Sequence, residues 1–202
     1  MNFDLTEDRQ MLSDTLTRYL SNRYAIGTRN EIAYTMPYHD PSRWAEMADM
    51  GIVGALVQGS AGGFGGTGFD ITVVFEALGR TLCPEPFLAA LLASRLLLAA
   101  GVEQKMLVDG SQRFAVGLGE NDAPYGFEGL STTAHREGDE YRLTGRKCAV
   151  YGGNVADVLL VIALLDDRPA VFRVEAAQAD VMGYGMIDGG GACELCLDET
   201  PA

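Results

Sequence analysis

The sequence predicts an α+β protein with an α-helical domain over residues 1–110 and an antiparallel β-domain over residues 111–202. Apolar residues recur at helical spacing in the first half. After Asp109-Gly110, helix formers give way to Gly, Val and Thr, and strict alternation replaces the helical period. Alternation is typical of half-buried strands, so we place the domain boundary near Ser111.

Helix start and stop signals recur along the first half. Thr6 is the expected N-cap of the first helix, and Gly27 is expected to end it. Pro41 stands near the start of the second helix, which is predicted to run to Met50 with Gly51 just beyond. The other expected segments are a short helix and loop in residues 28–40, a short strand or extended linker at Ile52–Val57, and helices at Asp70–Leu78, Phe87–Ala100 and Glu103–Leu107.

The second half is organised around a predicted hairpin. The runs Ser131–Arg136 and Glu140–Thr144 are joined by Glu137-Gly138-Asp139, which is typical of a β-hairpin. Val158–Ala163 is continuously apolar, as expected of a strand buried on both faces. Further strands are expected at Phe114–Leu118, Arg146–Tyr151, Ala170–Val174, Val181–Met186 and Ala192–Asp198.

A glycine-rich loop imitates a nucleotide-binding motif. Gly63, Gly65 and Gly68 satisfy G-x-G-x-x-G. A dinucleotide site needs a strand that leads directly into the first glycine, and a second parallel strand after the next helix. Here Gln58–Gly62 intervenes, and the later segment is rich in Ala and Leu. We therefore favour a loop between helices.

The net charge of −13 argues against nucleic acid or anionic lipid as a general partner, because phosphate binding needs a basic surface. A polyanion such as coenzyme A would need a local basic patch. The dense basic cluster is Arg136, Arg142, Arg146 and Lys147, and a solvated face of the hairpin explains each of these residues equally well. The two histidines, His39 and His135, have no evident nucleophile partner and are interpreted as surface residues.

Cysteine usage and apolar runs favour a cytoplasmic protein without a membrane span. The four cysteines are sparse. Cys193 and Cys196 have metal-type spacing, but residues three apart on a strand face opposite sides, so we expect no metal site. The acidic segment Met1–Asp8 is unlike a signal peptide. The run Pro86–Ala100 is shorter than a membrane span and contains Arg95, so it predicts a buried helix.

Taken together, these motifs resemble the acyl-CoA dehydrogenase family over the whole chain. Glu120 stands where the Glu of the family's "TEP"-like tripeptide would be. The family's "GD.Y.L.G.K", "AD" and "E.LGR" patterns correspond to Gly138-Asp139, Tyr141, Leu143, Gly145, Lys147, Ala156-Asp157, Glu76, Leu78, Gly79 and Arg80. The resemblance implies a barrel- or sandwich-like β-domain, and the C-terminal helical bundle of the family is absent from this sequence.

The resemblance also implies a function. It implies FAD-dependent α,β-dehydrogenation of an acyl-CoA carrying a medium, branched or dicarboxylic acyl chain, with electron-transfer flavoprotein or a similar acceptor, in a homo- or hetero-oligomer. Flavin contacts are implied at Leu118 and Gly119 and at Ala149, Val150 and Tyr151. Tyr125 stands near the family's ligand-touching Ser and is the candidate substrate contact. No catalytic residue is assigned, because the family's catalytic carboxylate lies in the C-terminal bundle.

Departures from the family pattern leave an alternative open. Gly119-Glu120-Asn121 replaces the usual tripeptide with Thr and Pro, Ala149 replaces the usual Trp, and Tyr151 replaces Thr or Ser. Such divergence resembles the small or partner subunits of heteromeric members. The alternative is therefore a non-catalytic partner subunit or interaction module with a degenerate flavin site, or ordinary core and loop residues with no ligand. In either case we expect the chain alone not to be catalytically competent.

Overall fold

A computed structural model of the chain describes residues 4–124 and 126–202. Within that part six α-helices precede Ser111 and seven strands follow it, which confirms the predicted α+β class. The helices are α1 (Glu7–Arg23), α2 (Ile26–Ala33), α3 (Pro41–Asp49), α4 (Gly68–Thr81), α5 (Phe87–Ala99) and α6 (Lys105–Val108). The strands are β1 (Phe114–Gly117), β2 (Thr133–Glu137), β3 (Glu140–Tyr151), β4 (Val158–Leu165), β5 (Arg168–Glu175), β6 (Asp180–Gly185) and β7 (Gly191–Pro201).

The ends of the first helix show where local signals decide and where they do not. Thr6 caps α1 as predicted, because its hydroxyl accepts a hydrogen bond from the Arg9 amide at 3.4 Å. The prediction that Gly27 ends α1 is wrong, since α1 ends at Arg23 and Gly27 lies inside α2. The helix ends early because Tyr24 turns into the core, where its hydroxyl donates to Glu85 Oε1 at 2.9 Å.

The segment Ile52–Val57 is neither a strand nor an extended linker. It forms a turn followed by a 3₁₀-helix at Gly54–Leu56, and all of its residues are buried. The nearby glycine-rich loop folds back on it: the amide of Gly65 donates to Val57 O at 3.1 Å and the amide of Gly66 donates to Ala55 O at 2.8 Å. The loop is therefore a packing element of the helical half, as the sequence indicated.

One hydrophobic cluster spans the helical half and the sheet. Phe114, Val158 and Leu160 from β1 and β4 pack in the same cluster as the buried faces of α1, α3, α4 and α5. Trp44 of α3 packs against Phe87 with ring centroids 5.1 Å apart. This cluster contains residues from both sides of Ser111, so the two halves pack together. The division into two independent domains at Ser111 therefore remains a prediction.

The sheet has the order β1-β4-β2-β3-β7-β6, with β5 also paired to β4. The predicted hairpin forms, and most pairs are antiparallel, but β4 is parallel to both β1 and β2, so the sheet is mixed. The apolar sequence of β4 suits a strand with neighbours on both sides and cover on both faces. At the start of the parallel pair, the Arg113 guanidinium makes a bidentate contact with Asp157 at 3.0 and 3.1 Å.

The described part of the chain contains no helix that is both long and apolar enough to cross a membrane. The predicted apolar helix is α5, and it buries Phe87, Ala90, Ala93 and Leu97. All four cysteines are free thiols, and the described residues contain no His, Cys, Asp and Glu cluster suited to a metal ion.

Candidate functional site

An apolar cavity of about 610 Å³ lies between α5 and the sheet. Its walls come from α5, from β1 and the loop after it, from the middle of β4, and from the end of β3 and the start of β5. The lining residues are Leu92, Arg95, Leu96, Val116, Leu118, Gly119, Pro124, Phe127, Cys148, Ala149, Tyr151, Ile162, Pro169, Ala170 and Val171. Sites for small molecules and cofactors are usually apolar pockets of this size with a few polar groups at fixed places.

The loop after β1 brings two of the predicted contacts to this cavity. Leu118 and Gly119 both line it. The amide of Cys148 donates to Gly119 O at 2.8 Å, which joins the loop to β3. A Cβ added at Gly119 would lie 3.1 Å from Pro124 O, so the close approach of the loop favours glycine at this position.

A β-bulge brings Ala149 and Tyr151 to the same cavity. Lys147 pairs with Leu195 and Val150 pairs with Cys193, so β3 contains one residue more than β7 between these two pairs. Ala149 takes up the irregularity with a left-handed φ of 50°. A non-glycine residue in that region costs on the order of 1 kcal/mol. Ala149 and Tyr151 are both exposed and both line the cavity.

Val150 and Tyr125 are the two predicted contacts that are not among the cavity-lining residues described above. Val150 is only 1% exposed and packs in the core of the sheet, so its side chain does not reach the cavity. Tyr125, the candidate substrate contact, lies outside the described residues.

Glu120 and Lys147 form a buried ion pair behind the cavity wall. Lys147 Nζ donates to Glu120 Oε1 at 2.6 Å and to Leu118 O at 3.3 Å. The other carboxylate oxygen accepts from the amide and the hydroxyl of Ser131, both at 2.7 Å. The pair therefore joins the loop after β1 to both β3 and the segment leading into β2.

The electrostatics of Glu120 follow from these contacts. Burial alone would raise its pKa, but hydrogen bonds from Lys147, Thr132 and Ser131 outweigh burial and hold the pKa at about 2. Burial lowers the pKa of Lys147, while its bond to Glu120 opposes that effect. The sequence marked both residues as family motif positions but did not predict that they contact each other.

The basic cluster of the sequence does not form a patch. Arg142 pairs with Glu137 at 2.7 Å and Arg136 with Asp139 at 3.5 Å, on the exposed hairpin. Lys147 is buried in its pair with Glu120. The interpretation of a solvated hairpin face is therefore supported for Arg136 and Arg142, but it is wrong for Lys147, whose side chain is buried against Glu120.

His39 is buried, which corrects its interpretation as a surface residue. Its Nδ1 contacts Glu85, and Glu85 Oε1 also accepts from the Asp40 amide at 3.2 Å. Glu85 lines a second cavity of about 280 Å³, which shares Tyr151 with the first. His135 is exposed, as expected, and lies 3.4 Å from Glu199.

Sequence reasoning missed several residues that line the larger cavity. Arg95 was noted only as an interruption of the apolar run, yet it is the one charged side chain among the described residues of the lining, and it donates to Gly66 O at 2.6 Å. Phe127 lies in the loop after β1 and is largely exposed. Phe127 could have been proposed as a lining residue because it is an aromatic residue in a glycine-rich loop. The sequence carries no comparable signal for Ile162 or Val171.

Comparisons with known proteins agree with this architecture. The family model "Acyl-CoA dehydrogenase, N-terminal domain" matches residues 6–114. Acyl-CoA dehydrogenase FadE29 of Mycobacterium tuberculosis is 30% identical over 84% of this chain and 46% of its own length. Cyclohex-1-ene-1-carbonyl-CoA dehydrogenase of Syntrophus aciditrophicus is 29% identical over 81% of this chain and 41% of its own length.

A solved structure extends the similarity to the sheet. The ChsE4–ChsE5 complex from Mycobacterium tuberculosis matches with a TM-score of 0.84 and 27% identity, over 100% of this chain and 57% of that chain. This chain spans about half the length of the curated relatives it matches. Because the family model covers more than half of the 202 residues, the chain belongs to the acyl-CoA dehydrogenase family.

Proposed function

We propose that this chain contributes the flavin-facing part of an enzyme that performs α,β-dehydrogenation of an acyl-CoA thioester with FAD as cofactor. The observation that carries the proposal is the apolar cavity beside the bulge, where Leu118, Gly119, Ala149 and Tyr151 converge. The family to which the chain belongs supports the reaction class. We propose a cytoplasmic location on the same family basis.

The lining fits an isoalloxazine ring. Gly119 and Ala149 leave room for a flat ring, Leu118 and Ile162 offer apolar contact, and Tyr151 adds an aromatic side chain that carries a hydroxyl. The chemistry that a bound flavin would supply is acceptance of the hydride that leaves the substrate β-carbon. The residues of this chain would hold the ring, exclude water from one of its faces and orient it, while the base that removes the α-proton would come from a helical bundle or a second subunit.

Exposed apolar side chains at the cavity rim support the need for such a covering element. Leu92 projects from α5, and Phe127, Tyr151 and Val171 project from the loop and the sheet. Contiguous apolar surface of this kind usually marks an interface. We infer that the chain acts in a homo- or hetero-oligomer, and that electron-transfer flavoprotein or a similar acceptor receives the electrons.

A second function, that of a non-catalytic partner subunit, is favoured by the residues at two positions. Ala149 stands where the resemblance implies a Trp, and Gly119 stands where it implies a Thr, so a stacking ring and a hydroxyl are both lost. A chain of this kind would keep the fold and the interface but not the cofactor. The two functions differ in whether flavin co-purifies.

The test is an absorbance spectrum of the protein purified with its co-expressed partners. A flavin band that bleaches when an acyl-CoA is added supports the dehydrogenase, whereas the absence of flavin from every complex supports the partner subunit. Residues 1–202 alone, assayed with an acyl-CoA and an artificial electron acceptor, are expected to show no sustained turnover. Turnover by the isolated chain would contradict the need for a second element and would place the base among its own acids.

A further inference from the structure

We propose that Glu194 is a positioning residue, whose carboxylate closes the β3 bulge and thereby fixes which β3 side chains face the flavin cavity. The identity of the ligand rests on the proposed function, whereas the geometry of the bulge does not. Glu194 itself lies on β7, the strand that pairs with β3 in the sheet.

The bulge and Glu194 face each other across the strand pair. Lys147 is paired with Leu195 and Val150 with Cys193, which leaves Cys148 and Ala149 together opposite the single residue Glu194. A bulge takes one amide out of the regular ladder. Here the Ala149 amide donates instead to Glu194 Oε1, at 3.3 Å.

The same carboxylate oxygen is held from the other side by β6. The Tyr184 hydroxyl donates to Glu194 Oε1 at 2.9 Å. Tyr184 is paired with Ala192, so Glu194 is its diagonal neighbour on β7. Burial, and then the hydrogen bond to Glu194, raise the pKa of Tyr184 to about 12. Tyr184 thus fixes the carboxylate, and the carboxylate fixes Ala149.

The orientation of Tyr151 depends on this arrangement. Lys147 and Val150 are three residues apart, and both are buried on the core side. Regular alternation would send two such residues to opposite faces, because a shift of one residue exchanges the faces of a strand. The extra residue at the bulge therefore turns Val150 inward and leaves Tyr151 on the side of the cavity.

The first test measures hydrogen exchange of the Ala149 amide in the whole chain. Glu194→Ala removes the acceptor, and loss of a hydrogen bond to a charged group is expected to speed exchange about tenfold or more. Glu194→Gln keeps a carbonyl oxygen at the same place, so exchange is expected to stay within about threefold of wild type. Asp198→Ala is the matched control, because it removes an acid from the same strand without touching the bulge.

Tyr184 gives a readout that a merely structural role would not move. In both Glu194→Ala and Glu194→Gln the negative charge is gone, so the Tyr184 pKa, followed by NMR of isotope-labelled tyrosine, is expected to fall below about 12. Burial, the larger cause of the rise, is unchanged and should keep the pKa above 10.0. In Glu194→Gln this fall should occur while the Ala149 amide stays protected. If Glu194→Ala does not fold, Glu194→Asp takes its place, because its shorter side chain should also lose the Ala149 contact.

Flavin affinity separates this proposal from the proposed function. In the holo-complex, Glu194→Ala is expected to weaken flavin binding about tenfold, and Glu194→Gln is expected to leave it near wild type. If the wild-type complex binds no flavin, the proposed function fails while the exchange experiment still decides the role of Glu194. Unchanged Ala149 exchange in Glu194→Ala, with or without flavin, would overturn the positioning role.

Discussion

Lys147 Nζ lies 2.6 Å from Glu120 Oε1, and the two side chains are only 0% and 5% exposed. This ion pair joins two walls of the candidate flavin cavity from behind, since Glu120 belongs to the loop after β1 and Lys147 to β3. The remaining acceptor positions of the carboxylate are filled by Ser131 and Thr132. Removing either member of such a buried ion pair leaves the charge of the other buried without a partner, which is strongly destabilising.

Replacing Lys147 by methionine is expected to destabilise the protein by about 3 kcal/mol, because a buried carboxylate loses its cation. The free energy of unfolding from urea titration measures this. The control is Arg80→Met, which breaks the exposed pair of Arg80 with Glu76 and should cost less than about 1 kcal/mol. Similar losses in the two variants would show that the buried pair has no special weight.

Acid is expected to weaken the fold through Glu120. Its folded pKa of about 2 lies below the ordinary 4.5, so its stabilisation is complete above about pH 4.5 and is lost as the pH falls towards 2. A shift of that size corresponds to about 3 kcal/mol. The free energy of unfolding, measured between pH 7 and pH 3, should therefore fall less steeply in Glu120→Gln than in wild type. Equal slopes would contradict a lowered pKa for Glu120, because other carboxyl groups with a lowered pKa, such as Asp157, are present in both proteins.

Gly145 and Gly27 are expected to respond in opposite ways to alanine. Gly145 has φ +151°, and a Cβ there would lie 2.6 Å from Thr132 Oγ1 and 2.7 Å from Thr132 Cα, so Gly145→Ala should cost about 2 kcal/mol or more. Gly27 lies inside α2 with no atom within 4 Å of an added Cβ, so Gly27→Ala should stabilise by about 0.5 to 1 kcal/mol. Thermal unfolding of the two variants measures both effects. A stabilised Gly145→Ala variant would rule out the close contact with Thr132.

Tyr151 is expected to matter for the ligand more than for the fold. It is 46% exposed and contributes to two cavities, so Tyr151→Ala should change the free energy of unfolding by less than about 1 kcal/mol. Flavin affinity of the holo-complex, measured by fluorescence, should fall about tenfold, because aromatic contact and a hydroxyl are both lost. Met11→Ala on α1, outside both cavities, serves as the control. Unchanged affinity in Tyr151→Ala would remove this residue from the site.

Much of the fold could be predicted because its determinants are local. The capping hydroxyl of Thr6, the proline at the start of α3 and the unbroken apolar run of β4 each act within a few residues. Gly27 misled because the end of α1 is decided by a distant contact, that of Tyr24 with Glu85. The parallel pairing of β1 with β4 was missed for the same reason, since it joins segments on either side of the hairpin.

The candidate site was predictable only as far as family motifs reach. Leu118, Gly119, Ala149 and Tyr151 converge on one cavity, but Val150 does not. A bulge is a property of two paired strands, and its position cannot be obtained from one strand alone. The alternation of β3 therefore did not reveal that Glu194, 45 residues away, accepts a hydrogen bond from the Ala149 amide.

The contact of Arg113 with Asp157 spans 44 residues and marks the start of the parallel β1–β4 pair. Closing a loop of that length carries an entropic cost before any contact inside it compensates. The β2–β3 hairpin lies within that loop and is held together by neighbouring residues, so it can form first. Folding rates fall as contacts become more distant in sequence. The hairpin is therefore expected to form before β1 joins β4, so the cavity wall carrying Leu118 and Gly119 would be completed only after the hairpin.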